Sequence, residues 1–324
     1  MIGDRMQASR FELKYVISEN KAQQVRRYVG SFLELDENGV GKPNLSYPVH
    51  SLYVDSDGMK TYWDTINGNK NRFKLRIRYY NDDAGTPVFL EIKRRMDNCI
   101  QKQRVGIRRE AVPMILRGQL PPPPLVLARH PRHTLALQTF CRVLQELQAR
   151  PKMHIAYLRE AYLPKTDNSA RVTMDRQVRS EPNPTGRLST QMMKPLLVWG
   201  SAVVLELKFT DRYPNWFRDL VQIFELRQCG AAKYADGVTL LSGRMPQHRR
   251  MPQLKPDLTW PPGVGVNGAS PRTLDPGSDW ARRPASPMRR TRTGRAGCRP
   301  RVTHCRCCRQ GWRCCGCPAH RSER

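Results

Sequence analysis

The sequence predicts an α+β fold: an antiparallel β-barrel, closed or nearly closed, with flanking helices and a disordered C-terminal tail. About eight segments alternate polar and apolar residues with few helices between them, which is typical of an antiparallel barrel rather than of a βαβ sheet. Beyond Gly243, Arg, Pro, Gly and Cys accumulate while Ile, Phe and Tyr are absent, and such a segment cannot bury a core. We therefore predict a folded domain over residues 1–243 and a disordered Arg/Pro/Cys-rich tail over residues 244–324.

Period-two alternation of polar and apolar residues marks the strands, and turn residues separate them. Asn81–Gly85 follows one strand and precedes the next, so these two strands are expected to form a hairpin with a longer loop. The predicted strands are Arg10–Ile17, Tyr47–Asp55, Arg72–Tyr80, Val88–Arg95, Ile100–Glu110, Met153–Leu163, Ala170–Val178 and Gly200–Thr210.

Apolar residues spaced three and four apart mark the helices. Ser18 is suited to cap the first helix, Asn67–Asn69 ends the second, and Pro121–Pro124 interrupts the chain before the third. The predicted helices are Glu19–Leu33, Gly58–Ile66, Thr134–Ala149, Trp216–Arg227 and Lys233–Leu241.

The strand of residues 72–80 carries four cations on one face and apolar side chains on the other. The cations are Arg72, Lys74, Arg76 and Arg78. Neighbouring side chains on one face of a strand lie about 7 Å apart, so these like charges repel one another. The face is therefore expected to meet water, acidic partners or a polyanionic ligand.

Three other strands each carry a Glu-x-Lys pair on one face. The pairs are Glu12 with Lys14, Glu91 with Lys93, and Glu206 with Lys208. Taken singly, each strand fits a half-buried sheet whose polar face lies in water. The repeated order favours faces that point into a barrel, where unpaired ions cost several kcal/mol each. Because basic residues outnumber acidic ones there, the missing counter-charge would be a ligand with several phosphates, bridged by a divalent metal on the glutamates.

Composition narrows the partners and the compartment. The formal net charge is +28, and residues 245–324 alone carry 17 Lys and Arg against 4 Asp and Glu, which predicts attraction to nucleotides, polyphosphate, nucleic acid or anionic lipid. No apolar stretch approaches the roughly 18 to 20 residues of a membrane span, and residues 1–10 lack the apolar run of a signal peptide. We expect a soluble, cytoplasmic protein. No Ser/His/Asp set, Walker-type loop or His-Glu-x-x-His motif occurs.

Seven motifs follow one another along the chain. They are Arg10-x-Glu12-x-Lys14-Tyr15, Lys74-x-Arg76-x-Arg78, Glu91-x-Lys93, Tyr157-x-Arg159, Arg171-Val172-Thr173-Met174-Asp175, Leu205-Glu206-Leu207-Lys208 and Lys233-Tyr234. In this order they resemble the VTC domain, the polyphosphate polymerase module of the vacuolar transporter chaperone complex and its bacterial relatives. That family lies within the triphosphate tunnel metalloenzyme superfamily. The resemblance covers roughly residues 8–243.

The resemblance implies a tunnel of antiparallel strands that binds ATP or another nucleoside triphosphate and a growing polyphosphate chain, with Mn²⁺ or Mg²⁺ assisting. The catalytic residues that it implies are Arg76, Arg78, Lys93 and Glu206. The further phosphate-binding residues that it implies are Lys14, Lys74, Lys102, Arg159, Arg171, Lys208 and Lys233. Glu206 would bind the metal, with Glu12 and Glu91 as secondary metal ligands or salt-bridge partners.

The implied activity is a metal-dependent transfer of the γ-phosphate of ATP to a polyphosphate chain. Two alternatives stay open: a triphosphate or polyphosphate hydrolase of the same fold, and a non-catalytic protein that binds polyphosphate or nucleic acid. A membrane partner protein for the product also stays open, whereas nucleic acid is expected only at the basic tail. Arg10 replaces the first Glu of the superfamily's Glu-x-Glu-x-Lys pattern, and Ala232 stands where a serine is expected, so one hydroxyl contact to phosphate would be missing.

The tail holds two cysteine groups, Cys305–Cys308 and Cys314–Cys317, near His304 and His320. Their spacing is more crowded than that of the usual Cys-x-x-Cys zinc finger. Zinc binding and arginine-rich nucleic-acid binding stay open as alternatives. The favoured interpretation is a disordered segment of the kind that a frame-shifted, GC-rich reading frame yields.

Overall fold

A computed structural model of the protein describes residues 11–243, except residues 98, 128, 129, 166, 168 and 211. The predicted tail with its cysteine groups, and Arg10 of the first motif, lie outside the described residues. Within them, the chain forms one large antiparallel sheet and six α-helices. None of the described helices has both the length and the apolar character needed to cross a membrane.

The sheet has ten strands in the described part of the chain. They are β1 (Phe11–Ile17), β2 (Glu34–Leu35), β3 (Tyr47–Asp55), β4 (Arg72–Tyr79), β5 (Val88–Met96), β6 (Cys99–Ile107), β7 (Arg150–Leu163), β8 (Ala170–Pro182), β9 (Leu196–Leu197) and β10 (Val203–Phe209). Hydrogen-bonded neighbours run β1-β10-β8-β7-β3-β4-β5-β6, while β2 adds to β7 and β9 adds to β8. Strands β3 to β6 thus form one half of the sheet. Strands β7, β8 and β10 form the other half, in which β10 lies beside β1.

Six helices accompany the sheet among the described residues. They are α1 (Glu19–Val29), α2 (Lys60–Ile66), α3 (Val112–Leu116), α4 (Pro131–Glu146), α5 (Asn215–Ile223) and α6 (Lys233–Leu241). Ser18 caps α1 as predicted, since its Oγ accepts a hydrogen bond from the backbone N–H of Lys21 at 3.3 Å. The prediction carried α1 on to Leu33, but Gly30 caps the helix through its N–H to the carbonyl of Arg26.

The prediction of a closed or nearly closed barrel is only partly confirmed. The ladder leaves β1 and β6 at the two ends of the sheet, and no strand pairing joins them in the part of the chain that is described. Other segments cover both edges instead: the N–H of Cys229 bonds the carbonyl of Lys14, and the N–H of Leu127 bonds the carbonyl of Gly106. The sheet nevertheless curls strongly. Its two end strands, β1 and β6, come so close that their Cα atoms approach within 8 Å of each other.

Three apolar clusters hold the helices against this curled sheet. One joins β3–β6 to α3 and α4 around Ile77 and Phe140, and another joins β1, β8 and β10 to α1 and α5 around Leu205 and Phe217. The third surrounds Tyr234 of α6 and includes residues of β3, β7 and α2. We call the concave face of the sheet, on which Arg76 and Glu206 lie, the inner face. The first two clusters cover the opposite face.

Candidate functional site

The inner face gathers charged side chains from seven strands and from α6. Each strand contributes alternate residues, as the period of two requires. The cations are Lys14, Lys74, Arg76, Arg78, Lys93, Lys102, Arg104, Arg159, Arg171, Lys208 and Lys233. The carboxylates among them are Glu12, Glu91, Asp175 and Glu206. Positive charge therefore exceeds negative charge on a face whose side chains are mostly buried or half-buried.

Glu91 has no exposed surface and is the centre of one cluster of cations. Its Oε2 lies 2.6 Å from Nη2 of Arg76, and its Oε1 lies 2.8 Å from Nζ of Lys102. Arg78 and Arg104 approach the same carboxylate at 3.8 and 3.5 Å. Burial alone would raise the pKa of Glu91, but these four cations hold that pKa well below its usual range. Glu91 is thus an ionised centre that keeps four mutually repelling cations together.

Glu206 is the centre of a second cluster, on β10. Its Oε2 lies 2.5 Å from Nζ of Lys208, and its Oε1 lies 2.8 Å from Nζ of Lys233. Lys14 and Arg159 lie farther away, at 3.6 and 3.7 Å. Burial would raise the pKa of Glu206, yet these cations hold it well below its usual range. Burial in turn lowers the pKa of Lys208 to about 8, even beside Glu206.

Asp175 is a site residue whose role sequence reasoning did not assign. It is fully buried, and both its oxygens accept hydrogen bonds of 2.7 Å from the guanidinium of Arg159. Its Oδ2 also lies 2.7 Å from Nζ of Lys233, so Asp175 and Glu206 share that lysine. The parity of Asp175 with Arg171 in the fifth motif was the available signal. Its partners could not be identified, because they depend on the pairing of distant strands.

Two inner-face arginines also bond tyrosines. Nη1 of Arg76 donates to the hydroxyl of Tyr53 at 3.0 Å, and Nη2 of Arg78 donates to the hydroxyl of Tyr157 at 3.0 Å. Nε of Arg78 is buried and has no hydrogen-bond partner among the described residues. A buried donor without a partner is unfavourable unless a ligand or water accepts its proton. Nε of Arg78 therefore has an unmet hydrogen-bonding capacity beside the Glu91 cluster.

A row of three lysines crosses the sheet beside the Glu91 cluster. Lys74 pairs in register with Lys93, and Lys93 pairs with Lys102, so the three Cβ atoms follow one another at about 5 Å across the strands. Lys93 contacts Oε2 of Glu12 at 2.8 Å and Lys102 contacts Glu91, whereas no described carboxylate lies within 4 Å of Nζ of Lys74. We call these three residues the lysine row.

The lysine row carries like charges that lack sufficient counter-charge. Burial, together with the neighbouring charges of Lys14 and Lys93, lowers the pKa of Lys74 to about 7. Burial also lowers the pKa of Lys102 to about 7, and the attraction of Glu91 only partly offsets it. Like charges directly opposite one another destabilise a sheet. The row is therefore the part of the inner face that most needs a bound anion.

The three glutamates of the predicted metal site do not form one group. Glu12 and Glu206 both approach Lys14, at 3.3 and 3.6 Å, but Glu91 lies in its separate cluster of cations. No set of three His, Cys, Asp or Glu side chains placed to hold a metal ion occurs among the described residues. The carboxylates instead have lysine and arginine partners. The residues present thus do not fit a ready-made metal site.

The predicted phosphate-binding and catalytic residues all lie on or border the inner face. Arg171 contacts a carboxylate outside the two clusters, since its Nη2 lies 2.9 Å from Oδ2 of Asp36. Arg104 was missed as a site residue, although it shares the parity of Lys102 in the sequence. Ala232 precedes α6 as the sequence requires, and its N–H bonds the carboxylate of Asp236. The roles of the predicted residues in phosphate binding and catalysis remain predictions.

Comparison with known proteins places the chain in a family. The model of the VTC domain matches residues 9–242. No curated protein sequence matches the chain. Among solved structures, it is similar to the PH1819 protein from Pyrococcus horikoshii OT3, with 13% identity and a TM-score of 0.37 over 72% of this chain and 99% of that chain. It is also similar to a chain of the Schizosaccharomyces pombe Mediator head module, with 8% identity and a TM-score of 0.34 over 73% and 92%.

These two structural likenesses are too distant to carry an argument about function. The family match is different in kind, since it spans most of the chain and nearly all of the described residues. The matched range, residues 9–242, also contains all seven motifs. The chain therefore belongs to the VTC domain family, whose members are polyphosphate-related proteins of the tunnel fold.

Proposed function

We propose that the protein is a polyphosphate polymerase that transfers the γ-phosphate of ATP to the end of a polyphosphate chain. The single observation that carries the proposal is the excess of cations on the inner face, most acute at the lysine row. Burying an unpaired ion costs several kcal/mol, so the arrangement is favourable when a polyanion supplies the missing charge. Family membership supports polyphosphate as that polyanion.

Phosphoryl transfer requires positioning and charge neutralisation more than covalent catalysis. In the proposal, Arg76 and Arg78 hold the oxygens of the γ-phosphate, and buried Nε of Arg78 donates to one of them. Lys93 holds the terminal phosphate of the chain. An oxygen of that phosphate attacks the γ-phosphorus, the bond from the γ-phosphorus to the β,γ-bridging oxygen breaks, and ADP leaves with the bond's electron pair.

The network of ion pairs prepares the site for this reaction. Glu91 fixes Arg76 through Nη2 and Nε, at 2.6 and 2.7 Å, so the guanidinium is oriented before substrate arrives. Glu206 and Asp175 do the same for Lys233 and Arg159. In the proposal, Mn²⁺ or Mg²⁺ would bind together with the nucleotide, because the described residues offer no ready set of protein ligands.

The product of the reaction tests the proposal. Purified full-length protein is incubated with ATP and Mn²⁺ or Mg²⁺, and the products are separated by gel electrophoresis and phosphorus NMR. We expect ADP and long-chain polyphosphate, with one phosphate added to the chain for each ADP that is released. ADP and free phosphate without polyphosphate would contradict the polymerase and indicate a hydrolase. Absence of turnover with either metal would contradict both activities.

A further inference from the structure

Tyr53 connects the Glu91 cluster with the start of α6. Its side chain is almost fully buried, and on β3 it pairs in register with Arg76 of β4. Its ring stacks on the ring of Tyr234, the second residue of α6, with centres 4.9 Å apart and planes 11° apart. This stacking fixes the plane of the Tyr53 ring and therefore the place of its hydroxyl group.

The hydroxyl of Tyr53 is used as an acceptor and has an unused donor. It accepts a hydrogen bond from Nη1 of Arg76 at 3.0 Å, whereas no group in the described part of the chain accepts its own hydrogen. A phenol can accept and donate at once, and a buried donor without an acceptor is unfavourable. A ligand oxygen at this point would take the hydrogen.

The surroundings of this hydroxyl favour an anionic ligand. The charged groups that act on it are Arg76 and Arg78 of β4 and Lys233 of α6, while Met153, its neighbour on β7, is apolar. Burial alone would raise the pKa of Tyr53, but these three cations and the hydrogen bond from Arg76 lower that pKa. The cations thus polarise the O–H bond and attract the kind of ligand that accepts from it.

Arg76 leaves two nitrogens to a ligand, and one of them lies beside Tyr53. Of its five N–H groups, those on Nε and Nη2 contact Oε2 of Glu91 at 2.7 and 2.6 Å, and one on Nη1 is donated to Tyr53. The remaining N–H groups are on Nη1 and Nη2. A phosphate that pairs with Arg76 therefore meets it at these two nitrogens, next to the Tyr53 hydroxyl.

We propose that Tyr53 is a further catalytic residue, whose hydroxyl donates a hydrogen bond to an oxygen of the γ-phosphate held by Arg76. The hydrogen stays on Tyr53 throughout the transfer, so no proton is exchanged. The inference rests on the proposed function for the identity of this phosphate. The contact itself applies to any linked phosphate at Arg76, and it ties the position of that phosphate to α6.

Binding of tripolyphosphate in the absence of nucleotide tests the contact. Calorimetry on the full chain compares wild type with Tyr53→Phe, which keeps the ring and removes only the hydroxyl. We expect about a tenfold loss of affinity, equivalent to about 1.4 kcal/mol, as is usual for a hydrogen bond to a charged group. Tyr62→Phe is the matched control, because Tyr62 is equally buried and its hydroxyl meets Oγ1 of Thr239 at 3.1 Å. Its affinity should equal that of wild type, and thermal unfolding verifies that each variant is folded.

A double-mutant cycle separates donation to phosphate from mere support of Arg76. If Tyr53 acted only by holding Arg76, Tyr53→Phe would have no effect in a protein that already carries Arg76→Gln. We expect a loss of about threefold or more to persist in that background. Full affinity in Tyr53→Phe, a loss that disappears in the Arg76→Gln background, or an equal loss in Tyr62→Phe would overturn the inference.

Ultraviolet titration gives a readout that a purely structural role would not change. The phenolate absorbance of Tyr53 is the part of the wild-type signal that Tyr53→Phe lacks. Tripolyphosphate should move this absorbance to higher pH, because a nearby anion and a hydrogen bond from the O–H both favour the neutral phenol. A Tyr53 titration that tripolyphosphate leaves in place would contradict the contact.

The outcomes separate this inference from the polymerase. Where wild type makes polyphosphate, the rate should fall at least about tenfold in Tyr53→Phe, since a donor to the transferred group is lost. Weaker tripolyphosphate binding by Tyr53→Phe, in a protein that makes no polyphosphate, sustains the contact and contradicts the polymerase. Polyphosphate synthesis at the same rate by wild type and Tyr53→Phe sustains the polymerase and contradicts the catalytic role of Tyr53.

Discussion

Glu91 illustrates how one buried carboxylate organises several cations. Its two oxygens contact Arg76 and Lys102 below 3 Å, and its burial is complete. If the carboxylate is removed, the cations around it lose their shared counter-charge and repel one another in a region of low dielectric. Its main role is thus to make a cationic face compatible with a folded protein.

We expect Glu91→Gln to lower the free energy of unfolding by about 3 kcal/mol, because breaking a buried ion pair leaves uncompensated buried charge. Urea titration followed by circular dichroism measures the change. Glu146→Gln is the control: Glu146 pairs with Arg142 on the exposed side of α4, and its loss should cost under about 0.5 kcal/mol. Equal effects of the two substitutions would contradict the role assigned to Glu91.

Lys74 is expected to take up a proton when a polyanion binds. Its pKa in the free protein is about 7, and nearby phosphates favour the charged form and raise that pKa. Between the two pKa values, binding therefore adds protons to the protein, and the affinity falls as pH rises through this window. Well below pH 7 the uptake disappears, because Lys74 is already charged.

Calorimetry of tripolyphosphate binding at about pH 8, in buffers with different ionisation enthalpies, measures this uptake. Lys74→Arg provides the comparison, since a guanidinium stays charged throughout this range and should reduce the uptake. Equal proton uptake in wild type and the variant would show that Lys74 is not the group that titrates.

At the scale of single residues, the sequence predicted which side chains share a face but not which ones touch. Alternation alone placed Arg76 and Arg78 on one side of a strand. The separation of Glu91 from Glu12 and Glu206 could not be predicted, because it depends on the register and curvature of the whole sheet. The role of Asp175 was missed for the same reason.

Among the elements, α6 connects the fold to the site most directly. Its first residue, Lys233, bridges Asp175 and Glu206, and its second, Tyr234, stacks on Tyr53 with ring centres 4.9 Å apart. The hydroxyl of Tyr234 donates to Oδ2 of Asp55 at 2.8 Å. Asp55 also accepts from Thr61, at the start of α2. One buried carboxylate thereby holds α2 and α6 against β3.

We expect Tyr234→Phe to lower the free energy of unfolding by about 1.5 kcal/mol, since a hydrogen bond to a buried charged group is lost. Tyr28→Phe, which removes a 3.3 Å bond to the carbonyl of Trp216, should cost less than about 1 kcal/mol. Chemical denaturation of both variants gives the comparison. If Tyr234→Phe is no more destabilising than Tyr28→Phe, Asp55 is not the anchor described.

Element boundaries were predicted best where local signals were strong. The bounds of β3 and α6 are confirmed as predicted. The strand predicted over residues 100–110 ends at Ile107, because Arg109–Ala111 forms a 3₁₀ turn that leads into α3. The short strands β2 and β9 were missed, since two residues carry no periodicity and pairing alone defines them.

At the scale of the whole molecule, the sheet curls without closing. Closure would require the outer edges of β1 and β6 to pair, but Cys229 already bonds Lys14 at one edge and Leu127 bonds Gly106 at the other. Covered edges also avoid the exposed hydrogen-bonding groups that promote aggregation. The strand count and alternation predicted curvature, whereas the segments that cover the edges lack a strand pattern and could not be foreseen.

A ligand that balances the inner-face charge should stabilise the entire fold. At a concentration about 100 times its Kd, tripolyphosphate is expected to add about 2.7 kcal/mol to the free energy of unfolding. Thermal unfolding at increasing ligand concentration measures the effect, with sodium sulfate at equal ionic strength as the control. Equal stabilisation by the two salts would mean that the inner face has no preference for linked phosphates.

The proposed polymerase requires the inner-face cations to act in phosphoryl transfer to polyphosphate. The most direct test compares the rate of polyphosphate formation from ATP by wild type, Arg76→Gln and Arg142→Gln, the last an exposed arginine on α4. Loss of a preorganised charge that stabilises the transition state should lower the rate by about 100-fold for Arg76→Gln. The rate should be unchanged for Arg142→Gln. Polyphosphate formation by Arg76→Gln at the wild-type rate would contradict the claim.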